Sequence, residues 1–141
     1  MRLVKSLVLL LISIATIGVY VSCSKDDDSS SSNISVASLI GTWKISHTKG
    51  YEINSGKKWD VDVPADADIY VFNSDGTYTN KQVSVEGTST GSGIWSLSGG
   101  DLLLSNIEYT DTFKIEKLTS STLILFYSDY YEEESTYLKV N

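Results

Sequence analysis

The 141-residue chain contains one cysteine, one histidine, one proline and one methionine, and its only arginine stands at position 2. With Cys23 alone, no intramolecular disulfide can staple the fold. His47 is the sole histidine and has no reactive cysteine to work with, so a zinc site or the Ser/His or Cys/His pair of a nucleophilic enzyme is not expected. It reads as a polar wall residue. The Gly-x-Ser-x-Gly, His-Glu-x-x-His, phosphate-loop and dinucleotide glycine patterns are missing too, so neither enzymatic activity, a metal nor a cofactor is expected. Basic residues are scarce, 11 against 18 acidic ones. Such a surface repels nucleic acid phosphates, and no nucleic acid partner is expected.

What is present begins with a leader over residues 1–22. Arg2 and Lys5 supply positive charge, Leu7 to Ile12 is apolar, and small residues precede Cys23, the three parts of a secretory signal. Ser13, Thr16 and Gly18 interrupt the apolar stretch well short of the ~20 residues a membrane span needs. Val21-Ser22-Cys23-Ser24 resembles a bacterial lipobox, which implies cleavage before Cys23 and lipid on its sulfur. Each buried methylene contributes ~0.8 kcal/mol, so two or three acyl chains hold where one is marginal. The membrane is thus an expected partner, reached through the lipid anchor on Cys23. Ser24-Lys25-Asp26-Asp27-Asp28 resembles the signal that sends Bacteroidota lipoproteins to the outer face of the outer membrane; a solvated spacer is the other reading.

Residues 23–33 hold the lipidated cysteine and a Ser/Asp tether with no apolar side chain from Ser24 to Asn33, for which disorder is the expectation. Ten such residues reach roughly 17 Å. Losing Arg2 and Lys5 with the leader leaves 9 basic against 18 acidic residues, a charge of −9.

Residues 34–141 suffice for one domain. Ser35 is placed to cap a short turn through Ile40, with Gly41 as its stop. From Trp43 the pattern alternates, as in a strand with one buried face. Pro64 opposes central pairing within Glu52–Asp68, although Trp59, Val61 and Val63 suit a short edge strand. Asn73-Ser74-Asp75-Gly76, Ser98-Gly99-Gly100-Asp101 and Thr119-Ser120-Ser121 join strand pairs, the Asp-Gly step being a strong hairpin signal. About eight strands follow in sequence, with no long amphipathic helix. An all-β, antiparallel up-and-down barrel hides every strand edge and is the expected fold.

Gly41-Thr42-Trp43 after a short helix, Phe72-Asn73-Ser74-Asp75-Gly76-Thr77-Tyr78, Gly93-Ile94-Trp95-Ser96-Leu97 and Phe113-Lys114-Ile115-Glu116-Lys117-Leu118 together resemble the lipocalin-like lipoproteins of the Bacteroidota over most of the mature domain. The resemblance implies that Trp43 plugs the closed end of the barrel. It also implies a basic residue of the last strand packed over that ring, where Lys139 is the one available and lacks the planar guanidinium of arginine.

If Trp43 faces inward, alternation carries Ile45, His47 and Tyr51 inward with it. The candidate ligand-binding residues are His47, Tyr51, Trp59, Tyr70, Phe72, Tyr78, Trp95, Phe113 and Tyr127. They either close into a solid core or line a cavity for a small apolar or amphipathic ligand. A protein partner or inhibitor target, gripped by loop aromatics such as Trp59 and Tyr130, is the alternative to a pocket. Asp60, Asp62, Asp66 and Asp68 read as a solvated acidic loop without the glycine and glutamate of a calcium loop. Glu132-Glu133-Glu134 reads as a charged hairpin tip.

Overall fold

The computed structural model describes residues 34–141. The leader, Cys23 and the Ser/Asp tether lie outside the described residues. A one-turn helix α1 (Val36–Leu39) precedes nine strands: β1 (Gly41–Glu52), β2 (Lys58–Asp62), β3 (Asp68–Phe72), β4 (Thr77–Ser84), β5 (Gly87–Ser98), β6 (Asp101–Ser105), β7 (Thr110–Leu118), β8 (Thr122–Ser128) and β9 (Tyr131–Val140). Ser35 precedes α1 but makes no side-chain capping bond.

Strands β3 to β9 pair in sequence, and β9 returns to pair with β1 from Thr42 to Glu52, closing an antiparallel barrel of eight strands. The ninth strand is a matter of interruption. β2 and β3 pair with the same edge of β1, β3 against Gly41–Lys44 and β2 against His47–Tyr51. Between them Pro64, which has no N–H to give a ladder, sits in a short excursion held by Val63 N–H donating to the Ser46 carbonyl at 3.0 Å. β2 pairs with no other strand, as the short edge strand around Trp59 should.

The meander puts its turns alternately at two ends. At one end lie Asn73–Gly76, Gly99–Gly100 and Thr119–Ser121; at the other lie Ile53–Lys57, Val85–Glu86, Asn106–Tyr109 and Asp129–Tyr130. In the first set Gly76 takes a φ of +84°, and the Thr77 N–H bonds the Asp75 carboxylate at 2.9 Å, so the Asp-Gly signal is realised atom by atom. This end is closed. Trp43 is fully buried there and donates its indole N–H to the Leu39 carbonyl of α1 at 2.7 Å. Lys139 Nζ sits 5.0 Å from the Trp43 ring and donates to the Ser38 carbonyl at 3.0 Å, so a lysine does cover the plug. Leu39, Phe72, Leu102 and Leu123 complete a solid floor.

Two strands run longer than their sequence suggests. β5 starts at Gly87 although Gly87–Gly93 is Ser/Thr/Gly only and gives no apolar period, and it pairs with β4 residue for residue. β9 starts at Tyr131, so Glu132, Glu133 and Glu134 are ladder residues opposite β1 and not a hairpin tip.

Candidate functional site

The open half of the barrel contains a cavity of about 270 Å³. Each strand reaches it by the same alternation that fills the floor. In β3, Phe72 belongs to the floor, Tyr70 lies one step up and Asp68 one step further; in β4 the same climb reads Tyr78, Asn80, Gln82. In β7 it reads Ile115, Phe113, Asp111, and in β9 Tyr137, Ser135, Glu133. Leu104, Leu125, Tyr109, Tyr127 and Tyr131 complete the lining. The side chains thus grade from apolar at the floor to polar at the mouth.

Gly93 of β5 keeps Tyr78 in place, because a Cβ there would collide with the Ser105 carbonyl and the Tyr78 ring. Tyr70 stacks on Phe72 at 5.7 Å and meets Tyr137 edge-on at 5.7 Å, tying the cavity floor to the core beneath. A second aromatic arc runs from Phe113 to Tyr127 at 5.4 Å, on to Tyr131 at 5.6 Å and out to Trp59 at 6.2 Å.

Asp68 is the deepest charge, 9% exposed. Its Oδ2 accepts the Tyr137 hydroxyl at 2.7 Å, while Oδ1 has no hydrogen-bond partner. Gln82 faces it across the ladder without completing a bond to that oxygen. Burial pushes the Asp68 carboxyl up to about 6, against the downward pull of the Tyr137 hydroxyl and the Gln82 amide. Burial likewise raises Asp111 and the phenols of Tyr70, Tyr127 and Tyr137.

Of the expected ligand residues, Tyr70, Tyr78, Phe113 and Tyr127 line the cavity together. Phe72 and Trp95 belong to the floor, where the Trp95 indole donates to the Asn73 carbonyl at 3.1 Å. His47 and Tyr51 stand elsewhere, and the inward placement expected for them is corrected. A β-bulge shifts the β1 register between Ile45 and His47. One inserted residue exchanges the two faces of everything after it. Ile45 still pairs with the buried Tyr137, but His47 now pairs with Thr136, Lys49 with Glu134 and Tyr51 with Glu132, on the outside.

Thr48 and Gly50 take the inner face opposite Ser135 and Glu133, and Trp59 lies beside Gly50 at the rim. Its indole N–H points to Thr48 Oγ1 at 3.4 Å, so Trp59 is a strand residue and not a free loop aromatic. Outside, His47 is clasped by Asp60 at 3.1 Å and Asp62 at 2.9 Å. Asp66 pairs with Lys44 at 2.7 Å. The four aspartates read as one acidic loop therefore part company: two flank His47, one pairs with Lys44, and Asp68 enters the cavity. Among the described residues no group of His, Cys, Asp or Glu side chains is arranged to hold a metal ion.

A family model described as a lipocalin-like domain matches residues 39–125. The solved structure of a lipocalin-like protein from Bacteroides uniformis superposes with a TM-score of 0.52 at 22% sequence identity, covering 73% of this chain and 99% of that one. At that identity the likeness speaks for the fold. No curated protein matches the chain.

Proposed function

The chain belongs to the lipocalin-like domain family, and on that premise we propose that it is a non-enzymatic, lipid-anchored binding protein whose open half holds one small molecule. The observation behind this reading is the 270 Å³ cavity, set on a floor packed solid. Its tyrosines, carboxylates and amides favour an amphipathic occupant over a wholly apolar one, since buried polar groups seek partners. Anchoring is supported by the leader and by Cys23, whose lipid would hold the protein at the outer membrane, with the acidic tether favouring the cell surface. Solvent extraction of protein purified from envelopes, followed by mass spectrometry, is the test. A co-purifying small molecule that disappears in Asn80→Phe, which fills the cavity, is expected; an empty wild-type protein, or a molecule retained by the variant, contradicts the pocket. Cys23→Ser should move the protein from the membrane to the soluble fraction, and unchanged membrane retention would rule out the anchor.

One observation favours a second reading, docking of a protein partner or inhibitor target. Each turn at the open end presents an exposed apolar side chain, Ile53, Val85, Ile107 and Tyr130, whereas the turns at the closed end are polar. Glu86, Glu108 and Asp129 beside these tips would repel anionic lipid, which makes a protein the suitable occupant. Loss of capture in a combined Val85→Ser and Ile107→Ser variant, with co-purified ligand retained, would select this reading.

A further inference from the structure

The charges in the cavity are of one sign. Asp68, Asp111 and Glu133 line it, and among the described residues no lysine, arginine or histidine does. On the outer wall acids do have partners: Lys49 holds Glu134 at 2.9 Å and Lys114 holds Glu116 at 2.8 Å. A cleft walled by one sign of charge concentrates counter-ions inside it. Asp68 gives that tendency an address, for it is nine-tenths buried and its Oδ1 lacks the hydrogen bond that a group at such depth requires.

The kind of cation follows from what surrounds the carboxylates. Calcium or magnesium needs about six or more converging oxygens, and these carboxylates do not converge. Tyrosine faces are the abundant alternative: Tyr70 lies 6.4 Å from Tyr78 and 5.7 Å from Tyr137, whose hydroxyl bonds Asp68. Such rings attract organic ammonium groups through their electron-rich faces. Leu104, Phe113 and Leu125 offer apolar contact within the same cavity. Its volume lies just below the ~300–1,000 Å³ usual for drug-sized ligands, so the occupant is compact.

We propose that the cavity takes a small organic ammonium, which donates an N–H to Asp68 Oδ1, lies against the tyrosine faces and packs its apolar part on Leu104, Phe113 and Leu125. This deepens the pocket-binding reading and rests on it. Asp111 and Glu133 steer the cation, and they exclude the carboxylate-headed ligands that a basic pocket would select.

Calorimetric titration of the purified protein with 2-phenylethylamine, 2-phenylethanol and phenylacetate separates the head groups at nearly constant shape. The amine should bind about tenfold or more tighter than the alcohol, with phenylacetate weakest. Asp68→Asn should remove that advantage and leave the alcohol unchanged, while Asp66→Asn, altering the acid paired with Lys44 outside, should change nothing. Asp111→Asn, nearer the mouth, should weaken the amine severalfold and so tests the same charge logic if Asp68→Asn fails to fold. Alcohol or phenylacetate binding as tightly as the amine, and lost in Asn80→Phe, overturns the cation and leaves the pocket standing. No binding of any of the three overturns the cation as well, and the pocket is then judged by the co-purification experiment, so the two failures are distinct.

Discussion

The closed and open halves of this barrel are built by the same strands with the same alternation, yet one is a packed plug and the other a polar cup. Trp43, Leu102 and Leu123 are fully buried at the closed end, whereas Asp68 at the other has a buried oxygen with no partner. Alternation decides only whether a side chain faces in or out. The residue type along the inner face decides whether that half is filled, and here it changes from aromatic and aliphatic to tyrosine, amide and carboxylate within single strands. Stability therefore concentrates at one end, and the other is left available for a ligand.

The comparison is tested most severely by Trp43→Ala. Losing the largest plug side chain, its bond to Leu39 and its contact with Lys139 should cost about 3–5 kcal/mol. A fall of roughly 2 M in the urea midpoint is expected; a loss below about 1 kcal/mol would show that the floor is not where stability resides.

The open half should respond with the opposite sign. The Asp68 carboxyl titrates near 6 in the folded protein and near 3.9 when unfolded. Between those values the native state holds the proton that the unfolded chain has released, so this group makes stability fall as pH rises from about 4 to about 6. The difference amounts to about 3 kcal/mol. Asp68→Asn should abolish that slope and raise stability at pH 7, as urea melts at several pH values will register; an unchanged slope, or a less stable variant at pH 7, contradicts the buried carboxylate.

Smaller effects sharpen the contrast. Lys139→Met should cost about 1 kcal/mol through the lost cation–π contact with Trp43, and a neutral result would show that the lysine is incidental to the plug. Val85→Ser at an open-end turn should stay within about 0.5 kcal/mol in thermal melts, since nothing packs on that side chain. A large loss there would mean that the exposed tips support the fold itself.

The barrel was readable because its signals are local. Strand alternation, Asp75-Gly76 and the Gly41-Thr42-Trp43 entry each act within a few residues, and each appears where expected. Tyr70, Tyr78, Phe113 and Tyr127 were readable for the same reason. The polar cavity residues escaped because only apolar positions were followed inward; carrying the same step of two onward from Phe72 through Tyr70 reaches Asp68, and from Ile115 through Phe113 reaches Asp111. His47 and Tyr51 escaped for a different reason. The bulge after Ile45 carries no glycine or proline to mark it; Lys49, a charge in the inward series of β1, signals a rim or a bulge without locating it, since the bulge is specified by pairing with β9, about ninety residues further along the chain. Lys139 shows a substitution that the barrel accommodates, for its ammonium finds both the Trp43 ring and the Ser38 carbonyl.

That the open half encloses a deep, negatively charged pocket is most directly tested by following the Asp68 carboxyl carbon through a pH titration by NMR in the ligand-free protein. A midpoint near 6 is the predicted result. A midpoint near the ordinary aspartate value of about 4 would mean that water reaches this carboxylate freely, and that the barrel has no such pocket.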